Sequence, residues 1–340
     1  MTERFTERER KVLSATIEDF IRTATPVASN RIAGTFDKPL SPATVRNTMA
    51  LLERGGFLTH PYTSAGKVPT DKGYRTYVNQ LMTVVDLNLV LQSKIKQELE
   101  EISGNVADYM QVVAHIISQL SHGVGICMAP VNLKALLTGI RLVPISEYRV
   151  LFVMEFDSHS MKTVVVELKR QLDSRLLVTV EEILRERLCG VSLEEIEESI
   201  VPRLYGTLAD DLGIVSLILE HSEELFTLPL QSELYVYGLQ RVLLSPEFGD
   251  QEIVTTLAGL VEDEDRLREL AGAAGDDEKP QITIGSEHQD RSLETFTTIS
   301  RKFHQHDRTG TLAILAPKRL DYAQSLAVLD FLADTVSEFY

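Results

Sequence analysis

Two short clusters in this 340-residue chain carry side chains suited to chemistry with a partner. Ser41, Thr44, Arg46 and Asn47 lie in a segment of helical periodicity. A guanidinium, a carboxamide and hydroxyls on one helix face can hydrogen bond to base edges and phosphate oxygens in a major groove. Thr63, Ser64 and Lys67 fall in the turn Thr63-Ser64-Ala65-Gly66-Lys67, where two hydroxyls and an ammonium suit a phosphate backbone. Thr25 and Ser29, ahead of the helix, are candidates for further phosphate contacts.

Other chemistry is hard to assemble from these residues. His304-Gln305-His306 would put two imidazoles on one face of a strand, but no third ligand lies nearby, and a solvated polar loop is expected. Glu194, Glu195, Glu197 and Glu198 read as a solvated helix face rather than an acid/base pair. Gly55-Gly56 and Gly123-Val124-Gly125 lack the strand–glycine loop–helix setting of a phosphate cradle. No Ser/His/Asp or Cys/His nucleophile signature stands out. No catalytic residues, metal or cofactor are expected.

The first cluster needs a helix to carry it. Ser41 is a candidate N-cap, Pro42 suits the first helical position, and Gly55-Gly56 is a stop signal. Val45, Met49 and Leu52 form one apolar stripe, and the opposite face is expected to carry Thr44, Arg46, Asn47 and Thr48. Upstream, Thr6 to Thr23 reads as a helix opened by a Thr6/Glu9 capping box, and Ser29 is expected to cap a short second helix through Ala33. Downstream, Phe57 to His60 reads as a short strand, residues 63–67 as a hairpin tip, and Thr70 as the cap of a helix bringing Tyr74, Tyr77, Val78 and Leu81 back to the core. Helix, short helix, polar helix and hairpin describe a winged helix-turn-helix. A plain three-helix bundle would need neither the polar face nor the polar hairpin tip.

The same strings, LSPATVRNTMALLE (Leu40 to Glu53) and TSAGKVPTDKGYR (Thr63 to Arg75), resemble the HrcA family of heat-inducible transcription repressors. The similarity runs back through FIRTATPVASNRIA (Phe20 to Ala33) and recurs at PKRLDY (Pro317 to Tyr322). The family usually has Gly at position 28, Asp at 48, His at 62 and Arg at 67, where this chain has Ala28, Thr48, Tyr62 and Lys67. Lys67 keeps the charge but not the bidentate fork of arginine. The resemblance implies a homodimer on double-stranded DNA at an inverted-repeat operator near chaperone genes, dependent on the GroEL chaperonin for its active form. It also implies a GAF-like sheet domain, split in sequence by an inserted helical module that takes part in dimerisation.

Charge is divided unevenly. Residues 1–85 hold 12 Lys and Arg against 8 Asp and Glu, net +4, whereas the whole chain is −16. A basic head on an acidic body lets only the head approach DNA, although an acidic body also serves solubility. No apolar run approaches a membrane span and the N-terminus is too charged for a signal peptide, so a cytoplasmic protein without membrane contact is expected. Cys127 and Cys189 read as reduced thiols rather than a disulfide.

The remaining segments point to an α+β class. Residues 86–122 read as a helical connector, in which a coiled-coil contact is conceivable but the repeat is short. Strand-like runs at 126–128, 136–143, 149–156 and 161–168 are followed by helical segments at 179–188, 192–212, 215–232, 234–243 and 251–271, then strands at 282–285 and 310–317 and a final helix. A hairpin turn is expected at 157–160, and 291–301 stays unassigned. The expected partition is a winged helix-turn-helix head at 1–85, a GAF-like domain at 123–189 and 251–340, and an inserted dimerisation module at 190–250. An alternative function is a metabolite-responsive regulator sensing a ligand in the GAF-like domain. A structural sheet domain is the simpler expectation, because no convergent polar pocket is visible in the sequence. An enzyme with a fused winged helix is disfavoured by the missing catalytic signatures.

Overall fold

The computed structural model describes residues 5–36, 38–62, 65–83, 86–102, 106–130, 136–157, 161–167, 174–204, 225, 233–243, 251–272, 279–305 and 308–338. The fold is α+β. Contacts divide the chain into two compact units. The first comprises 1–99, 111–128 and 234–340; the second comprises 100–110 and 129–233.

In the first unit, α1 (Glu7–Thr23) opens with the expected capping box, Thr6 accepting from the Glu9 N–H while Glu9 accepts from the Thr6 N–H. Ala24 closes it in the left-handed conformation. α2 (Ser29–Ile32) differs from expectation: Ala28 is its N-cap and Ser29 is already helical, so no side chain caps it. α3 (Pro42–Arg54) is followed by the strands β1 (Leu58–Thr59) and β2 (Val68–Pro69), paired antiparallel. Thr70 caps α4 (Asp71–Thr76), accepting from the Gly73 N–H at 3.1 Å. A π-turn over Tyr77–Leu81 prolongs α4. Val12, Leu13, Ile17, Val45, Met49 and Leu52 are almost wholly buried, as are Tyr74 and Tyr77, while Val78 and Leu81 are half-buried. Burying a side chain of this size is worth about 1.5–3 kcal/mol, so the stripe of α3 is held by its own apolar face.

Helices α5 (Leu89–Glu100) and α6 (Val106–Ser121) lead to β3 (Val124–Ala129). β3 belongs to a five-stranded sheet with β7 (Glu233–Tyr237), β8 (Gln281–Ile284), β9 (Phe296–Gln305) and β10 (Arg308–Pro317), in the order β7-β3-β10-β9-β8. β10 pairs antiparallel with β3, Cys127 opposite Leu312, and with β9, Ile299 opposite Ile314. On one face, α10 (Gln251–Glu262) and α11 (Glu264–Gly272) cover Val124, Ile126, Ala313 and Leu315. Alternation sends Gly125 and its partner Ile314 to the other face, where α6 approaches so closely that a Cβ on Gly125 would meet the Ala114 carbonyl. α12 (Tyr322–Glu338), capped by Asp321, packs against β9 and β10.

The second unit has its own sheet, β4 (Leu137–Ser146), β5 (Arg149–Phe156) and β6 (Met161–Glu167), with antiparallel neighbours. Val150, Phe152, Met154 and Phe156 face a core shared with α7 (Ser174–Leu188) and α8 (Leu193–Leu204).

Several expectations need correction. The partition at 123–189 and 190–250 does not follow the compact units: β3 stands between β7 and β10 with both edges taken, so β4–β6 pair among themselves instead. The head at 1–85 shares a unit with the five-stranded sheet. Residues 234–237, expected to be helical, lie in β7: Tyr235, Val236 and Tyr237 are strand-favouring side chains, and the segment pairs with the free edge of β3. After it, Leu239–Val242 forms a single short helix, α9. The helix expected over 251–271 breaks at Asp263, whose carboxylate accepts from the Arg266 N–H at 3.1 Å and starts a new helix. His304 and Gln305 lie on β9 rather than in a loop. The expected turn at 158–160 and the helical segments at 205–224 and 226–232 lie outside the described residues. Both cysteines are free, and burial raises both thiols, Cys127 far above the ordinary range. No helix among the described residues is long and apolar enough to cross a membrane.

Candidate nucleic-acid interface

The geometry of α3 begins at its cap. The Ser41 hydroxyl accepts from the Thr44 N–H at 3.1 Å and lies 2.8 Å from the Thr44 hydroxyl. Such a cap contributes on the order of 1 kcal/mol. Pro42 occupies the first turn and Gly55 the C-cap. With Val45, Met49 and Leu52 turned inward, Arg46 and Asn47 stand exposed on the other side. Neither side chain makes a hydrogen bond or ion pair with any described residue. An exposed guanidinium and carboxamide, adjacent on a rigid helix and free of partners among the described residues, are suited to the bidentate contacts that these groups make with purine edges.

The structure changes two assignments on this helix. Thr48 is buried, and its hydroxyl donates to the Thr44 carbonyl at 3.0 Å, so it belongs to the core side. Arg54, passed over in the sequence, is exposed two turns beyond Arg46, with Ala50 exposed between them. The i, i+4, i+8 spacing of Arg46, Ala50 and Arg54 carries that signal, but Gly55 and Gly56 drew attention to the helix end instead.

The hairpin is tied to the segment before α2. Val27 and Lys67 exchange backbone hydrogen bonds, Val27 N–H to Lys67 at 2.8 Å and Lys67 N–H to Val27 at 2.9 Å. The close approach requires glycine next door: a Cβ on Gly66 would stand 2.6 Å from the Val27 carbonyl carbon and 2.7 Å from the Pro26 oxygen. Those obstacles are backbone and cannot rotate away. Gly66→Ala is therefore expected to destabilise the protein by about 1–3 kcal/mol, the usual cost of overpacking. Chemical denaturation of the full chain checks this, and an unchanged midpoint would show that the hairpin detaches at no cost.

Lys67 does not present a free ammonium. Its Nζ lies 2.5 Å from Glu53 Oε2 and 3.5 Å from His60 Nδ1, while His60 Nδ1 is 2.5 Å from Glu53 Oε1. Hydrogen bonds from Lys67 and then His60 hold the Glu53 carboxyl below the usual carboxylate range. The expected phosphate contact is thus occupied by an internal ion pair, since a lysine on the hairpin stem faces the last turns of α3. Thr63 and Ser64 lie outside the described residues. The Thr25 hydroxyl accepts from Arg31 at 2.8 Å and lies 3.2 Å from the Thr23 hydroxyl, and Arg31 also pairs with Asp19 at 2.9 Å. Thr25 is therefore part of the brace between α1 and α2, though still exposed. Ser29 is half-buried at the start of α2.

Among the described residues no group of His, Cys, Asp and Glu could hold a metal ion.

Comparison with known proteins agrees with these motifs. Residues 107–326 match the family model described as HrcA protein C terminal domain. The chain is 35% identical over 336 residues to a heat-inducible transcription repressor HrcA of Chlorobium chlorochromatii, covering 98% of this chain and 96% of that protein. It is 30% identical over 333 residues to the protein of the same name from Pelotomaculum thermopropionicum, with 98% and 96% covered. A crystal structure of a hypothetical protein at 2.2 Å resolution superposes over 98% of each chain with a TM-score of 0.61 at 24% identity, a likeness of fold.

Proposed function

Since the chain belongs to the HrcA family of heat-inducible transcription repressors, we propose that it acts as a cytoplasmic homodimer on an inverted-repeat operator of chaperone genes and needs the GroEL chaperonin to reach its active form. The head is a winged helix-turn-helix, with α3 as the reading helix and the β1–β2 hairpin as the wing. The five-stranded sheet with its covering helices corresponds to a GAF-like domain and the β4–β6 unit to an inserted dimerisation module. Two heads about a two-fold axis would read two half-sites. The observation that carries this function is the pair Arg46 and Asn47, whose side chains are exposed and without partners among the described residues on a capped helix. Ser41 and Thr44 flank that pair, Thr63 and Ser64 are assigned to the wing tip, and Thr25 and Ser29 to the approach along the phosphates. Footprinting on the chaperone promoters of the source organism tests it: protection of an inverted repeat is expected, and no protected site there would reject it.

The Glu53–Lys67 pair refines the role of the wing. A carboxylate beside the wing lysine opposes phosphate and competes for the ammonium. Glu53→Gln is expected to raise affinity for any duplex severalfold at low salt, the gain fading as ionic strength rises. Adding Lys67→Ala should abolish the gain and lower the slope of log K against log salt by about one. A salt titration of duplex binding checks both. Weaker binding by Glu53→Gln would instead mean that Glu53 holds the wing in place for DNA.

A cavity of about 250 Å³ between α10–α11 and β8–β9, lined by Arg266, Gln281, Thr283, His288 and Leu293 among others, favours the metabolite-responsive alternative. A thermal-shift screen of the full chain against metabolites discriminates: a ligand that both shifts the melt and alters DNA binding would establish that alternative.

A further inference from the structure

The family-like strings TDKGYR and PKRLDY meet in the structure, and they meet away from α3. Lys318 Nζ lies 2.5 Å from Asp71 Oδ1 on α4, and the Ser286 N–H donates to Asp71 Oδ2 at 2.9 Å. Arg75, one turn further on, pairs with both oxygens of Glu287 and donates to the Ile282 carbonyl at 2.6 Å. Arg319 donates to the Ile21 carbonyl at the end of α1 at 2.5 Å. The turn carrying Ser286 and Glu287 is shaped for this contact. Gly285 adopts φ +52°, and a Cβ there would overlap the Asp71 carboxylate. For Asp71 and Glu287 alike, burial alone would raise the carboxyl, yet the hydrogen bonds from Lys318 and Ser286, and from Arg75 and Ile284, outweigh it and hold both below the usual range. Both stay charged at neutral pH.

Two oppositely oriented ion pairs resist more than separation. Asp71 on the head faces a cation that follows β10, and Arg75 on the head faces an anion that follows β8, so sliding α4 by one turn would place like charges together. Such a contact selects one orientation. We propose that Asp71 and Arg75 are positioning residues that clamp the head on the five-stranded sheet, and that this clamp sets which half-site spacing the dimer accepts. The proposal rests on the dimeric, inverted-repeat function above. With heads fixed, each base pair added between half-sites moves the second site by about 3.4 Å and turns it by roughly 35°. A rigid pair of heads cannot follow; tethered but swivelling heads can.

The test uses the full chain and duplexes bearing the inverted repeat that the wild-type chain itself selects from a randomised library. The spacer is lengthened by 2 or 5 base pairs, and a single half-site serves as reference. Wild type is expected to lose at least about tenfold affinity on the altered spacers. Lys318→Glu and Glu287→Arg each set like charges against the head. Both are expected to bind the single half-site within about twofold of wild type while their preference for the native spacing shrinks to about threefold or less. Asp71→Lys combined with Lys318→Glu reverses one pair and is expected to restore the preference. An undiminished spacing preference in the single variants would overturn the proposal, as would a loss of half-site binding with the preference intact.

A second measurement does not need DNA. Cys189→Ser leaves only the fully buried Cys127, so spin labels can be placed at the exposed positions Arg8→Cys and Asp265→Cys. With labelled chain diluted in an excess of unlabelled chain, so that intersubunit distances drop out, one narrow distance is expected with the clamp intact, a broad distribution with Lys318→Glu, and a narrow one again in the charge-reversed double variant. A narrow distance in Lys318→Glu would reject the clamp even if the protein binds no inverted repeat, which separates its failure from that of the proposed function.

Discussion

Arg46→Ala is expected to lower operator affinity by roughly 5- to 150-fold and to leave the thermal melt where it was. The range corresponds to the 1–3 kcal/mol by which a good bidentate contact discriminates its base. Three features of the structure support that proposed contact. It is exposed, it lies opposite the buried Val45, Met49 and Leu52, and it has no partner among the described residues whose loss could weaken the fold. A surface arginine of this kind changes stability by no more than about 0.5 kcal/mol when truncated. Affinity is measured by titration of a labelled operator duplex and of a scrambled duplex at one fixed salt concentration. If both lose affinity equally and the salt slope drops by about one, Arg46 touches phosphate rather than a base. If neither changes, Arg46 leaves the interface and Arg54 becomes the next candidate.

The contrast between Arg46 and Lys67 shows which part of the site could be read in sequence. A helix announces its faces through the 3.6-residue period, so Ser41, Pro42, Gly55 and the apolar stripe were enough to turn Arg46 and Asn47 outward. The same period misplaced Thr48, because an apolar stripe wider than its three obvious members also takes in a small β-branched residue whose hydroxyl can be satisfied by its own helix. Lys67 could not be read this way. Its partner Glu53 is local in space but belongs to a different element, and nothing in either segment's periodicity records the pair. Ser29 differs for a related reason: a serine ahead of a short helix suits both N-cap and first-turn positions, and here it takes the first turn while Ala28 is the N-cap.

Long-range pairing sets a similar limit on the body. The strands 149–156 and 161–167 could be read because they are β-branched, bounded and paired with neighbours in sequence. β7 was missed although Tyr235, Val236 and Tyr237 favour a strand, because the segment is short, sits among stretches of helical pattern and takes its partner, β3, from far back in the chain. The strings TDKGYR and PKRLDY, which carry much of the likeness to the family, turn out to face each other across the junction of head and sheet. Neither string alone indicates that its charged residues serve orientation rather than DNA contact.

The topology leads to the other large expected effect. β10 is the central strand of the five-stranded sheet, and residues 312–316 are fully buried. Its partner β3 is separated from it in sequence by the segment 129–233 of the second unit and more, with Cys127 opposite Leu312. Closing that loop costs entropy before the sheet returns any stabilisation, so pairing is slow, and the strand Leu-Ala-Ile-Leu-Ala is exposed while it waits. Unpaired apolar strands of this kind are what a chaperonin binds, and they are also what aggregates. After denaturation, the chain alone is therefore expected to recover only a minor fraction of DNA-competent molecules. GroEL, with its co-chaperonin and ATP, is expected to raise that fraction severalfold or more and to leave the dissociation constant of the competent molecules unchanged. Mass action separates the two quantities, because apparent affinity scales with the competent fraction whereas a stoichiometric titration counts it directly. The titration uses a tight operator duplex well above its dissociation constant, with and without the chaperonin system. A circular permutant offers an independent check: opening the chain between β6 and α7 and joining the natural ends leaves β3 distant from β10 by the new route through the head, so its dependence should persist. Unaided recovery of a fully active dimer would remove the chaperonin requirement, and so would a chaperonin effect on affinity with the active fraction unchanged. In either case α3 with its exposed Arg46 and Asn47 stands as the proposed reading surface, since that proposal draws nothing from how the sheet is assembled.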